Sequence, residues 1–511
     1  MILALAAFFR FVSLRANPGW YSDEGVFIDF ASHLSQGKWQ TLGSINAPML
    51  IQRPPLFLFM LAGIFKFFGS DILVLRSFTA FCGLLSVILI YLLVRRIFNI
   101  VLALLAAFIT AFQPTLVAYN RIGLTYNLLM PLLILTIFAC WMYLETRRAN
   151  WVWAACITAA LAFSTDFLGI IAPILVGGML IVVDRRRVIP GILIMAIILG
   201  ALLIPYYFAS PQNFKLALQY IFRSRVSSSP FNQVVNSLLS YGELLRRESW
   251  ILLGLIGLLL LPEKRIRALT VVTVFLGILL VVRNQAPVGK GLHYLMGLFP
   301  LFALGIAAFL YRAFPLVQSF LSDVFDRITQ GFPEIMNNTR LSQTWKTLSK
   351  FAVALIVFCI LISPLVWMIF ADTAQSVFGN YFIFTGNDDL YLTPEKDVNQ
   401  VINYLRQHST PDDLVLASPQ IVWAVPAFGV DYAGIIYYEN KSGDSTFPHS
   451  MFIRPVTLEE TTYAILDPLA REFAPLVLSG MDDLIHNIDQ WPLAFQAGDI
   501  EVYRNPNKPA H

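Results

Sequence analysis

The chain has 511 residues, of which 57% are hydrophobic, 14% aromatic and only 13% charged, and its mean hydropathy is +0.66. Globular domains carry about 25% charged residues, so this chain has too little polar side chain to cover a soluble surface, and a disordered chain, a coiled coil and a disulfide scaffold are excluded on the same grounds. The net charge of +4 conceals an uneven division: residues 1–371 sum to +16 and residues 372–511 to −12. A basic apolar part joined to an acidic tail points to a polytopic membrane protein with an appended unit in a second compartment.

A bilayer core needs roughly 20 apolar residues per helix. Apolar runs of that order lie near 1–14, 72–94, 99–118, 126–144, 151–164, 168–183, 188–208, 250–262, 268–282, 293–312 and 351–371, about eleven spans. The run at Met1 is short for a span, and no small-residue cleavage pattern follows it. The clusters Arg95–Arg96, Arg147–Arg148, Arg185–Arg187 and Lys264–Arg265–Arg267 belong in the cytoplasm by the positive-inside rule. That places the N-terminus inside, and loop 15–71, loop 209–249 and residues 372–511 outside. Arg246–Arg247 falls on the wrong side of this arrangement.

Within loop 15–71 the apolar segment Pro54–Gly69 is followed at once by a full span, so it reads as an interfacial helix on the outer leaflet with Lys66 at the lipid surface. Residues 313–350 read as a polar cytoplasmic loop of amphipathic character. The tail reads as a small soluble α/β unit. Helices are expected at Glu395–His408 and Asp482–Ile488, and strands at Leu414–Ala417, Ile435–Tyr438 and Pro475–Ser479.

Chemistry-bearing residues are sparse. The four cysteines (Cys82, Cys140, Cys156, Cys359) sit singly in apolar runs and the six histidines are scattered, so no structural metal or redox pair is indicated. The Lys/Arg residues lie at helix ends, where membrane topology accounts for them, and there is no nucleic-acid signal. Tyr21-Ser22-Asp23-Glu24-Gly25 sets two carboxylates directly after the first run. A carboxylate there can take a proton from an attacking hydroxyl or amine, or it can simply cap a helix. Gln52-Arg53-Pro54-Pro55-Leu56 closes the loop. Its prolines fix entry into a helix, and Arg53 either grips a phosphate with its planar fork or snorkels to lipid. The cluster Lys215, Arg223, Arg225, Arg246 and Arg247 either attracts an anionic lipid or forms a solvated face.

Asp-Glu after the first span, followed some thirty residues later by a basic residue and Pro-Pro-Leu, resembles the GT-C class of glycosyltransferases. Within that class it is similar to the protein-mannosyltransferase and aminoarabinose-transferase-like group (glycosyltransferase family 39). Leu75-Arg76-Ser77, Tyr91 to Phe98, Asn120-Arg121 and His293-Tyr294 carry the likeness across most of residues 1–371, and the tail matches only as a soluble outer appendage. The resemblance implies an α-helical GT-C-like membrane protein with a small C-terminal α/β unit. It also implies inverting transfer of a sugar from a polyprenyl phosphate to a protein, lipid or glycan acceptor at the outer face.

By that resemblance Asp23 is the general base or acceptor-binding carboxylate and Glu24 its partner. Arg53 takes the donor phosphate, with His293, Tyr294 and Arg121 beside it. Relatives often carry acids where this chain has Gln52 and Tyr126-Asn127, so the resemblance leaves a divalent metal open without indicating one. They often have Lys where this chain reads Ser164-Thr165-Asp166-Phe167, so Asp166 is either a compensating acid or a polar cap. The bilayer and the lipid-linked sugar are the implied partners, and no resident cofactor is indicated. The competing class is a multi-pass lipid or solute transporter. Transporters bury ionisable residues near the midplane and show internal repeats, whereas here the acids cluster at one surface and no repeat is visible.

Overall fold

A computed structural model describes residues 1–42, 44–45, 54–209, 211, 242, 248–283, 292–330, 392–439 and 449–508, together with short helical pieces between 347 and 373. The predicted Arg53 and the basic cluster of loop 209–249 lie outside these residues. In chain order, α1 (Ile2–Phe11) leads into strand β1 (Trp20–Tyr21) and helix α2 (Ser22–Ser35). A small hairpin, β2 (Gln40–Thr41) and β3 (Ser44–Ile45), and helix α3 (Leu56–Phe68) complete the first loop. The expected helix in Pro54–Gly69 is present as α3, with Lys66, Phe67 and Phe68 exposed at its end.

The apolar bundle follows: α4 (Ile72–Ile97), α5 (Ile100–Phe112), α6 (Pro114–Asn120), α7 (Tyr126–Thr146), α8 (Ala149–Phe163), α9 (Ile171–Val183), α10 (Val188–Ala209), α11 (Trp250–Leu259), α12 (Lys264–Arg283) and α13 (Phe299–Gln330). Among the described residues four helices are long and apolar enough to cross a membrane, and α5 with α6 makes a fifth if that pair, bent by 60°, is one span. Pro114 at the first position of α6 and the Gln113 side chain, which accepts from the Leu116 N–H at 2.6 Å, cause that bend. α1 has ten residues, about 15 Å of helix against a hydrocarbon core of about 30 Å. Asp71 caps α4 by accepting from Leu73 N at 2.7 Å, and Arg95 and Arg96 sit in the last turn of that helix, where the helix dipole favours them.

Small residues let α11 and α13 approach backbone to backbone. A Cβ added at Gly257 would lie 1.7 Å from the Gly305 carbonyl oxygen, and one at Gly305 would lie 1.9 Å from that of Gly254, the close contact that apolar helices use when no hydrophobic force draws them together. α13 corrects the reading of 313–350 as a loop, because its helix continues through Gln330. The amphipathic character noted there is the helix's own period.

The C-terminal unit comprises β4 (Leu392–Thr393), α14 (Glu395–His408), β5 (Leu414–Leu416), α15 (Pro419–Val422), β6 (Phe428–Val430), α16 (Tyr432–Tyr438), β7 (Thr461–Leu466), α17 (Ala474–Val477), α18 (Met481–Ile488), β8 (Leu493–Ala497) and β9 (Ile500–Arg504). Five strands form one sheet in the order β6-β5-β7-β9-β8, the first three parallel and the last two antiparallel. Two of the expected strands are helices. Ile435–Tyr438 belongs to α16, because the Asp431 carboxylate accepts from Gly434 N at 2.8 Å and starts a helix that buries Tyr432, Ile435 and Ile436 at helical spacing. Pro475–Ser479 is for the most part α17, continuing a wide helical turn over Leu469–Phe473.

The first loop and the C-terminal unit share one hydrophobic core. Trp20, Phe27, Phe30, Phe57 and Leu58 pack in the same cluster as Val398, Val401, Leu405, Ile421 and Val502. β1 pairs with β4, Trp20 opposite Thr393 and Tyr21 opposite Leu392, so the tail is built onto the loop rather than hung beyond it.

Candidate active site

The five-residue turn 121–125 between α6 and α7 is the hub on which most of the predicted site residues converge. Buried amides hold it: Asn120 Nδ2 donates to Asn127 Oδ1 at 2.7 Å, and Asn127 Nδ2 donates to the carbonyls of Tyr119 and Ile122, each at 3.0 Å. Arg10 Nε donates to Asn120 Oδ1 at 2.9 Å, tying α1 to the same knot.

Asp23 and Glu24 begin α2. Adjacent helical residues point in different directions, and the two carboxylates meet different surroundings. Glu24 is fully buried. Its Oε1 accepts from Arg76 Nε and from Gly123 N, each at 2.8 Å, and its Oε2 from Arg76 Nη2 at 2.7 Å and Tyr21 N at 3.1 Å. Both oxygens are thus committed to fixing the loop on the hub. Asp23 is half-buried at the preceding position.

The other predicted residues are distributed around the same turn. Arg121 is buried, with its Nη groups donating to the backbone carbonyls of Phe9 and Val12, the latter at 2.7 Å. Its buried Nε has no hydrogen-bond partner among the described residues. Thr125 Oγ1 donates to Asp166 Oδ2 at 3.0 Å, while Asp166 Oδ1 accepts from Leu168 N at 3.0 Å and caps the turn after α8. His293 and Tyr294 stack with ring centroids 4.1 Å apart, and both lie 6.1 Å from the Tyr126 ring at the start of α7. Leu56 N donates to Ser164 O at 2.8 Å, so the Pro-Pro-Leu entry of α3 docks two residues from Asp166.

Sequence reasoning noted Arg76 only as part of a matching segment. In the structure it is the clamp of the first loop: besides Glu24 it serves the carbonyls of Leu14 and Arg15, each at 3.1 Å, and that of Gly19. Arg10 and Asp372, both buried and within electrostatic reach of Arg121, were not anticipated either. The one available signal was their charge inside or beside apolar runs, which is costly unless partnered. Among the described residues no three of His, Cys, Asp and Glu come together as a metal-binding group.

Bundle, first loop with paired acids and C-terminal α/β unit together make the GT-C glycosyltransferase fold. Residues 52–208, under a third of the chain, match the family described as dolichyl-phosphate-mannose-protein mannosyltransferase. Among solved structures the chain resembles ArnT from Cupriavidus metallidurans bound to undecaprenyl phosphate, at TM-score 0.61 and 13% identity over 100% of this chain and 98% of that one. It also resembles the archaeal oligosaccharyltransferase AglB from Archaeoglobus fulgidus in complex with an inhibitory peptide and a dolichol-phosphate, at TM-score 0.51 and 12% identity over 98% of this chain and 74% of that one. No curated protein matches the chain in sequence.

Proposed function

We propose that the protein is a membrane glycosyltransferase that moves a sugar from a polyprenyl-phosphate donor to an acceptor at the outer face of the cytoplasmic membrane. The reading takes the N-terminus as cytoplasmic and the C-terminal unit as extracytoplasmic. The observation that carries it is the contrast at the start of α2: Glu24 is fully buried and fixed by Arg76 and Gly123, whereas Asp23 at the preceding position is half-buried and is the carboxylate assigned to the reaction. In an inverting displacement the acceptor oxygen or nitrogen attacks the anomeric carbon, the bond to the phosphate oxygen breaks, and Asp23 receives the acceptor's proton. No covalent glycosyl-enzyme is needed, so one carboxylate is enough. Arg53, His293, Tyr294 and Arg121 are assigned to the departing lipid phosphate. Asp166, shared between a cap and Thr125, is assigned to holding the hub. The dolichyl-phosphate-mannose named for the matching family, and the undecaprenyl phosphate and dolichol-phosphate bound in the similar structures, support the donor class.

The test is release or transfer of radiolabel by purified protein from a panel of polyprenyl-phosphate sugars, beginning with dolichyl-phosphate-mannose. General-base contributions are typically ~10²–10⁴-fold, so Asp23→Asn lowers kcat by about that range while the protein stays folded. Lipid or solute exchange without turnover of any donor would establish the transporter instead.

A further inference from the structure

Open α/β sheets bind ligands beyond the carboxyl ends of their parallel strands, at the point where strand order reverses. In the C-terminal sheet that point falls between β5 and β7. On one side of that point, the segment leaving β5 is covered by α2. The turn Ser418–Pro419–Gln420 after β5 lies directly on Gly25: a Cβ there would come within 2.1 Å of the Pro419 carbonyl oxygen and 2.5 Å of the Gln420 nitrogen. Farther along the same helix, Asp29 acts electrostatically on Asp431, the residue after β6.

The pressed turn is itself rigidly held. Asp467, buried at the end of β7, accepts from Ser418 Oγ at 2.5 Å, Gln420 Nε2 at 2.8 Å and Ala470 N at 2.9 Å, so one carboxylate fixes both neighbours of Pro419. On the other side of Asp23, Trp20 stacks on Trp423 with centroids 5.8 Å apart and planes 24° apart, and Trp20–Tyr21 pairs with Leu392–Thr393. The chain is thereby gripped from the C-terminal unit on both sides of the Asp23–Glu24 pair, at Tyr21 by β4 and at Gly25 by Pro419.

We propose that the C-terminal unit is a positioning device for the reaction: the segment leaving β5 rests on α2, and the Gly25–Pro419 contact and the Trp20–Trp423 stack set the aim of Asp23. Gly25, Trp20, Trp423 and Asp467 are positioning residues, since each acts on the reacting carboxylate through the backbone of α2. The proposal rests on Asp23 being the base. A displacement of about 1 Å at a reacting group costs on the order of 10²-fold in rate, so loosening the clamp appears in kcat rather than in donor KM.

The experiment compares Gly25→Ala, Trp423→Ala, Trp423→Phe, Asp23→Asn and, as a control, Gly63→Ala, an exposed helical glycine with nothing within 4 Å of an added Cβ. Turnover of dolichyl-phosphate-mannose, or of the panel donor that is turned over, is measured in detergent on protein that elutes as a single folded species. Gly25→Ala and Trp423→Ala should lower kcat about 10–100-fold with donor KM within about threefold, Trp423→Phe should restore most of the rate, and Gly63→Ala should match wild type. If Asp23→Asn is inactive while both clamp variants stay within about threefold of wild type in kcat, the clamp is refuted and the base stands. If Asp23→Asn keeps its activity, the base reading falls and the clamp with it. Should Gly25→Ala not fold, the Trp423 pair decides: equal losses in Ala and Phe, or a loss confined to KM, overturns the proposal.

Discussion

Replacing Arg76 by lysine tests how the first loop is held. All five guanidinium donors of a buried arginine need acceptors, and here Nε and the two Nη groups find both oxygens of Glu24 and the carbonyls of Leu14, Arg15 and Gly19. Lysine keeps the charge but offers three donors from a single point, so at least two of these bonds are lost and Glu24 keeps a poorer partner. Hydrogen bonds to charged groups are worth ~1.5–3 kcal/mol each, which gives a loss of about 3–5 kcal/mol, the cost typical of spoiling a buried ion pair. For a chain of this length roughly 2 °C per kcal/mol applies at most, so the unfolding midpoint in detergent, read by tryptophan fluorescence, should fall by several degrees, up to about 10 °C. Arg76→Met should be at least as damaging, because it leaves a buried carboxylate alone. Adding Glu24→Gln to Arg76→Met should recover part of the loss, since the pair's charges then vanish together. A midpoint for Arg76→Lys within about 1 °C of wild type would refute the clamp reasoning, because no fully satisfied buried guanidinium is that replaceable.

Burial pushes the Asp431 carboxyl up to about 6, and the hydrogen bond that the His33 ring donates to Asp29 raises His33. Both groups hold a proton more tightly folded than unfolded, so stability rises as pH falls from about 7 toward 4, and Asp431→Asn, which keeps the helix cap, should flatten that slope and add ~1–3 kcal/mol at neutral pH. Melting curves between pH 5 and 8 with parallel slopes for both proteins would contradict this. Arg53→Ala should raise donor KM strongly and Arg53→Lys should restore it in part, because lysine supplies charge without the fork; an unchanged KM would reassign Arg53 to lipid anchoring. A cysteine placed at exposed Asp482 in a Cys359→Ser background should react with an impermeant maleimide on intact cells, and labelling only after lysis would reverse the topology.

What the sequence determined by itself was local and periodic. The helix expected at Glu395–His408 occupies those residues, because Val398, Val401, Ile402 and Leu405 repeat at helical spacing and one apolar stripe specifies a helix without outside help. The long apolar runs at 72–94 and 126–144 became α4 and α7 for a comparable reason: in hydrocarbon every backbone group must be satisfied within its own segment. The aromatic and β-branched run around Ile435 misled, since its composition favours a strand, and an Asp431 cap together with its neighbours in the fold decided for a helix. The site divided along the same line. Asp23 and Glu24 stood out by chemical type, and Arg121, Asp166, His293 and Tyr294 through the family resemblance. Glu24 reaches the turn 121–126 and parts from Asp23 through bonds to Arg76 and Gly123, 52 and 99 positions away, while Asp166 reaches it through Thr125 and His293 and Tyr294 through the Tyr126 ring. The contact of Gly25 with Pro419 spans most of the chain. No local pattern encodes such partners, because a buried charge or a glycine states only that something must approach it, and the packing of distant segments decides what does.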